Sequence, residues 1–335
     1  MIRAQWAKGT ITRAEKGLSL IELLVAMALG TLLLLAVVSI YTNTKQTYSV
    51  LAGQSRLQEN VRFAMARLTS EIGAAGYLGC LQAMQVMAGE PVILNAMTVA
   101  SGVYNFVDPV TGRAGVGKND SDEITVIRAI GLSAIPLATP MASTNDSLTL
   151  DADHPEYAKI SQGDVVIVAD CSRAVAFMVT NHPTAGDSGE LQHGTGITIK
   201  GRANAANDLQ WIFGLPQNSQ AVLMRVAGNV YSIGNSVQGV CRSSTPGFCS
   251  LRENGHELVR GVQRMTILYG LDMNADTVVD QYVGANAVAD WGAVVSVRIT
   301  LVVNEVERVQ GSNNGVTSGV PKIFINTIRV RSRGV

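Results

Sequence analysis

The sequence predicts an α+β protein: one long N-terminal helix followed by a β-rich head. Three observations carry that expectation. Residues 18–75 contain no proline, and only Gly30, Gly53 and Gly73 stand as breakers. The segment is apolar over 18–40, with Glu22 as its single charge, and amphipathic beyond. After Cys80 the texture changes to short runs rich in Val, Ile, Thr and Leu, bounded by Gly, Asn, Asp and Pro. These changes divide the chain into a basic leader (1–17), a transmembrane helix (18–40), an amphipathic helix (41–79) and a β-rich head (80–335).

The apolar half has about the 20 residues a helix needs to cross a bilayer core. A carboxylate inside such a segment is costly unless it is paired, so Glu22 is a functional candidate and the question is its partner. Residues 1–17 carry Arg3, Lys8, Arg13 and Lys16 against Glu15, a net charge of +3; the whole chain is neutral, so the remainder carries −3. A basic flank stays in the cytoplasm, which puts residues beyond Ile40 outside it. A cleaved secretory signal has a similar layout. Against it, the apolar run is too long, and "SIYTNTKQTYSV" offers no small-x-small cleavage site.

In the amphipathic half, Leu57, Val61, Ala64, Met65 and Leu68 recur at helical spacing. Arg56, Glu59, Arg62, Arg67 and Glu71 take the other positions. "GAAGYLGC", with Gly73, Gly76 and Gly79, supplies the stop signals.

In the head, the β-type runs are "DEITVIRAIG", "SLTL", "GDVVIVADC", "AVAFMVT", "GITIK", "AVLMRVAGNVYSIGN", "MTILYGLD", "VVSVRITLVVNEV" and "KIFINTIRVR". Gly228-Asn229 divides the sixth of these and reads as a hairpin turn. Residues 109–122, 180–196 and 310–320 read as loops, and little helix is expected after Gly79. Cys80, Cys171, Cys241 and Cys249 all fall in the exported part, where an even count reads as two disulfides. Cys241 and Cys249 bracket a Pro-Gly turn that brings them together, and elimination then pairs Cys80 with Cys171. Four buried free thiols are the alternative.

No catalytic constellation stands out, so the chain reads as a non-enzyme. His154, His182, His193 and His256 all sit in loop-like stretches. Asp153-His154, or Ser188 with His193, could enter a triad, but nothing in the sequence fixes the geometry. "GRAGVGKND" lacks the Ser/Thr that a phosphate-binding loop needs after its Lys. "DMNADTVVD" places Asp272, Asn274, Asp276 and Asp280 at loop positions one, three, five and nine, with the Val278 carbonyl at seven. Hard oxygen ligands at that spacing suit Ca²⁺. Thr277 stands where such loops carry Gly, and a solvated Asx-rich turn is the plainer reading. Arg329, Arg331 and Arg333 alternate as on one face of a strand, a solvated edge or, more sharply, a DNA contact. The mildly acidic head gives no electrostatic footprint for nucleic acid.

The basic leader, Gly17 and "LSLIELLVAMALG" resemble the class III signal of type IV prepilins and type II secretion pseudopilins. "VRFAMARLTSEIGAAGYLGC", "VADCSRAVAFMV", "VYSIGN", "ELVRGVQRMTILYGLD" and "DWGAVVSVRITLVV" resemble, in order, segments of PilW-type minor pilins. The resemblance implies a pilin-like fold. It implies cleavage by prepilin peptidase after Gly17 and N-methylation of Leu18, which stands where the family usually has Phe. It gives Glu22 a partner in the N-terminal ammonium of an adjacent subunit. The implied partners are other minor pilins, the major pilin and the inner-membrane assembly platform. The implied location is a single pass of the inner membrane with a periplasmic head, then the pilus tip or cell surface. The implied function is priming of pilus assembly. A J-type minor pseudopilin of a secretion system, or a pilus-borne DNA- or surface-binding module, is the alternative.

Overall fold

The computed structural model of the chain describes residues 19–78, 81–82, 86–87, 90–91, 93–98, 103–170, 172–183, 188–214, 221–304 and 321–333. Helix α1, Leu20–Gly73, runs without interruption as the composition requires. The chain divides into two compact units, one ending at Ala52 and the other beginning at Gly53, and α1 contributes to both.

In the first unit α1 is exposed all round. Its large apolar side chains stand in the open, Leu33 at 68 %. That is the pattern of a helix built for a lipid or protein environment rather than for water.

In the second unit the helix behaves as an amphipathic element. Leu57, Val61, Ala64, Leu68 and Ile72, spaced by three and four residues, are buried. They join one core with Ile124 and Val126, Tyr231 and Ile233, and with Ile267, Ile299 and Leu301. The helix ends at Gly73, earlier than the expected boundary at 79. Gly76 takes φ +70° and donates its N–H to the Ile127 carbonyl at 2.8 Å, so the backbone leaves the helix for the sheet. Tyr77–Leu78 is already a short strand.

The main strands of the head are β1 (Ile93–Asn95), β2 (Val110–Arg113), β3 (Glu123–Pro136), β4 (Val165–Ala169), β5 (Ala174–Met178), β6 (Val222–Asn235), β7 (Cys249–Glu253), β8 (His256–Arg260), β9 (Val262–Leu271), β10 (Gln281–Val283), β11 (Val294–Val303) and β12 (Lys322–Arg329). They form an eight-stranded sheet centred on β6 and a four-stranded sheet ordered β10–β9–β11–β12. Along one edge of β6 runs β3, with β2 beyond it. The other edge is shared by β4 and β7. Beyond β4 lie β5 and then β1, the latter pairing parallel. Strands β4 and β5 are buried at every residue, which explains their unbroken apolar runs. Their residues alternate between two further cores: Val166, Val168, Val175 and Phe177 face one, and Val165, Ile167, Ala176 and Met178 the other.

Several expectations are corrected. Gly228-Asn229 is not a turn; β6 passes straight through it. Glycine is needed there for close approach, since a Cβ on Gly228 would lie 2.7 Å from Val103 Cγ1. The stretch 109–122 contains β2, where Val110 is buried and a Cβ on Gly112 would collide with the Tyr269 hydroxyl. In 180–196, Glu190–Leu191 pairs with Leu148–Thr149. "GITIK" makes only an Ile199–Arg202 bridge, because Lys200 (φ +51°) and Gly201 (φ +74°) reverse the chain at once. The basic strand face of Arg329, Arg331 and Arg333 does not form. β12 ends at Arg329; Val330 bonds back to Val295, and Ser332 donates to the Ala75 carbonyl at 2.6 Å. The loop at 310–320 lies outside the described residues. Among the described residues, helix after Gly76 is limited to short 3₁₀ turns.

The buried stripe of α1 generates a test. Leu68 is 0 % exposed and Phe63 is 52 % exposed. Leu68→Ala is expected to cost about 2–5 kcal/mol and Phe63→Ala within about 0.5 kcal/mol. Chemical denaturation of both variants of the full chain in detergent checks the contrast. Equal losses would contradict the packing described.

Candidate functional site

Two acids on one helix meet opposite fates. Glu22 lies in the first turn of α1 as described, where the exposed N–H groups of a helix favour an anion. It is exposed, and its carboxylate makes no hydrogen bond or ion pair among the described residues. Gly17 and Leu18, the expected cleavage and methylation positions, lie outside those residues.

Glu71, which the periodicity assigned to the polar side, is 0 % exposed. Arg128 on β3 grips it with two bonds, Nε to Oε2 at 3.0 Å and Nη2 to Oε1 at 2.5 Å. Asn229 on β6 donates to Oε2 at 2.9 Å, and Arg67, one turn back on α1, reaches Oε1 at 2.9 Å. Arg67 also bridges to Glu253 on β7, with Nη2 to Oε1 at 2.6 Å. Asn254 completes the set by donating to Asn229 Oδ1 at 2.8 Å. Burial alone would push Glu71 up, but the bonds from Arg128 and Asn229 and the charges of Arg128 and Arg67 hold its carboxyl below the usual range. The nearby Tyr231 hydroxyl is pushed up by burial and by the charges of Glu71 and Glu253. This knot ties the end of α1 to three strands. Its sequence signal was an Asn in the middle of a long β-run.

The cysteines divide likewise. Cys241 and Cys249 form the expected disulfide across the turn at Pro246–Phe248. Cys80 and Cys171 lie outside the described residues.

The Asp272–Asp280 loop curls around its own backbone. Asp272 accepts the N–H groups of Asp276 at 3.2 Å and Thr277 at 2.7 Å. Asn274 accepts that of Asp276, Asp276 that of Val278, and Asp280 that of Met273. Thr277 takes φ +66°, so the backbone turns at the sixth position as a calcium loop does, with Thr in place of Gly. Nevertheless, no three His, Cys, Asp or Glu side chains gather as a metal site among the described residues.

The histidines do not assemble a general base. His154 Nε2 lies 3.3 Å from Ser133 Oγ, but its Nδ1 accepts the Glu156 N–H. The neutral ring therefore carries its proton on Nε2 and donates to the serine, opposite to what an activated nucleophile needs. His193 is buried against Phe177, and its Nε2 lies 2.8 Å from the Asp146 carbonyl, to which it donates. Burial lowers its pKa and keeps it neutral. His182 and His256 are exposed.

Comparison with known families adds two findings. Residues 12–38 match the family described as the prokaryotic N-terminal methylation motif, and residues 230–323 match that described as type IV pilus-assembly protein W. No curated protein and no solved structure matches the chain. The first match covers the segment around Glu22, and the second runs from the middle of β6 into β12. Helix α1 is also long and apolar enough to cross a membrane. With the methylation motif, that is the pattern of a membrane anchor.

The knot is open to a direct test. Arg128→Met is expected to strand Glu71 and cost about 3–5 kcal/mol, as when one partner of a buried pair is removed. Because the folded carboxyl lies below its unfolded value of 4.5, its stabilising effect is full above that pH and fades as pH falls through the folded value. The stability gap between the parent and Glu71→Gln should therefore be constant from neutral pH down to about 5 and close below it. Urea titrations across that range decide it; a gap that widens in acid would contradict the assignment.

Proposed function

We propose that the chain is a PilW-like minor pilin of a type IV pilus, in line with its two family matches, that it primes assembly with other minor pilins, and that it sits near the filament tip. The observation that carries the reading is a lone acid in a membrane-length apolar helix that carries the methylation motif. The leader is removed after Gly17 by prepilin peptidase, and Leu18 becomes the methylated N-terminus. The protein then spans the inner membrane once with its head in the periplasm, and the assembly platform extracts it into the filament beside the major pilin. Glu22 faces the ammonium of a neighbouring subunit. An unpaired ion in hydrocarbon costs several kcal/mol, and pairing removes much of that, so docking in register is favoured over a lone subunit. Its role is structural rather than enzymatic. Cys80 pairs with Cys171 in the oxidising periplasm, which non-reducing peptide mapping would test.

Intact-mass spectrometry of the membrane protein checks the processing. The expected mass starts at Leu18 with one added methyl group. Retention of residues 1–17 in peptidase-competent cells would overturn the reading. Glu22→Ala and Glu22→Gln should both be cleaved and membrane-resident yet depleted from sheared pili, because charge rather than size is at issue. Normal recovery of either variant would refute the pairing.

The Asp272–Asp280 loop is proposed to take Ca²⁺, with Asp272, Asn274, Asp276, Asp280 and the Val278 carbonyl as donors. The pre-turned backbone at Thr277 supports this; the ion would have to draw the carboxylates together. Three carboxylates and no Gly at the turn point to an affinity near the extracellular range, on the order of 10⁻⁴ M. At ten to a hundred times that concentration, calcium should stabilise the full chain in detergent by about 1.4–2.7 kcal/mol. Asp276→Ala should abolish the gain. No shift in the parent, or an equal shift in the variant, leaves an acidic turn.

A further inference from the structure

The large sheet splits along one edge of β6. Strand β4 holds that edge up to the Val226–Val165 pair, and β7 holds it from the Tyr231–Glu253 pair onward. Residues 227–230 lie between them, paired on their other edge to β3. Asn254 bridges the far end of the gap by exchanging two bonds with the backbone of Val230, both 2.8 Å. The rest of the gap opens as a cavity of about 540 Å³.

Its walls are fixed in place. Tyr104 packs over Gly228, within 3.4 Å of where a Cβ would stand. Arg202 lies over the Tyr104 ring, 5.4 Å from its centroid, and donates to the Gly163 carbonyl at 3.1 Å. Lys200 stands at the tip of the tight turn that precedes it. Arg225 projects from β6 beside them. Its buried Nε finds no hydrogen-bond partner among the described residues. Its terminal nitrogens lie 3.8 Å from Glu156 and 3.9 Å from Asp164, within ion-pair range but too far for a hydrogen bond.

Two features set this gap apart from ordinary solvated surface. Buried donors are nearly always bonded, and the Arg225 Nε is not. Three cations, Lys200, Arg202 and Arg225, line the cavity with Asp164, and the buried Glu156 stands 3.8 Å from Arg225, so three cations meet two carboxylates. The chain as a whole offers no such excess: beyond residue 17 it holds 22 basic against 25 acidic residues, that is 26 − 4 against 26 − 1. The gap therefore carries a local excess of one positive charge where the rest of the chain is net acidic.

We propose that the gap between β4 and β7 is a binding site for a small oxyanion ligand, a carboxylate or phosphate group received by Arg225 and neutralised by Arg202 and Lys200. The planar fork of Arg225 matches two oxygens of such a group, and the ring-stacked Arg202 is held in place before binding. The site stands on unit-internal geometry and is independent of the pilin reading.

The test uses the full chain in detergent, titrated with inorganic phosphate and with citrate, each against chloride at matched ionic strength. Calorimetry and thermal melting are the readouts. The expected result is saturable binding of phosphate or citrate that matched chloride does not reproduce; the anion that responds identifies the source of the oxyanion. Arg225→Gln should weaken binding more than about tenfold. Lys200→Ala, at an exposed position, should weaken it about two- to fivefold, the effect of one exposed charge, and leave the ligand-free melt unchanged. No saturable binding of either anion to the parent would overturn the proposal. So would an affinity unchanged in Lys200→Ala, which decides the matter if Arg225→Gln does not fold.

Discussion

A carboxylate sealed at the end of a long helix stays ionised only if cations are brought to it. Glu71 is such a carboxylate, and Arg128, Arg67 and Asn229 are what the fold brings. The consequences run outward. Arg128 and Asn229 sit on paired strands, so the register of β3 on β6 is tied to the helix. Arg67 carries the connection to Glu253 on β7. Apolar contacts along Leu57, Val61, Leu68 and Ile72 supply most of the adhesion, since each buried side chain of this kind is worth about 1.5–3 kcal/mol. They do not specify rotation or register as sharply as a bidentate ion pair does. The knot specifies how the helix end meets the sheet.

The same helix poses a problem at its other end and leaves it open. Glu22 has no partner among the described residues and stands among exposed apolar side chains. One acid is satisfied within the folded chain; the other has no partner among the described residues. The match to the methylation motif falls on the open end.

Much of the architecture was legible in the sequence because it rests on local signals. The proline-free helix, the all-apolar runs of β4 and β5 and the Cys241–Cys249 loop follow from periodicity, composition and spacing. What was not legible depends on contacts distant in sequence. Glu71 occupies what periodicity calls a polar position, and Arg128 and Asn229, brought by folding, join Arg67 in making its burial possible. Gly228-Asn229 has the composition of a turn. In the fold the glycine admits Val103 and Tyr104, and the asparagine serves Glu71. Arg331 and Arg333 continue a strand pattern on paper, but Ser332 between them is bonded to Ala75, just past the end of α1. The oxyanion gap escaped for the same reason: Tyr104, Lys200, Arg202 and Arg225 come from separate segments.

The central proposal is that the chain is a subunit of a pilus rather than of a secretion apparatus or an unrelated anchored protein. Deletion of the gene, complemented with the parent sequence, with surface pili and type II secretion scored separately, addresses that claim most directly. The expected result is a loss of surface pili with secretion intact, and restoration of pili by the parent. Normal piliation in the deletion strain, or a secretion defect in its place, would contradict it.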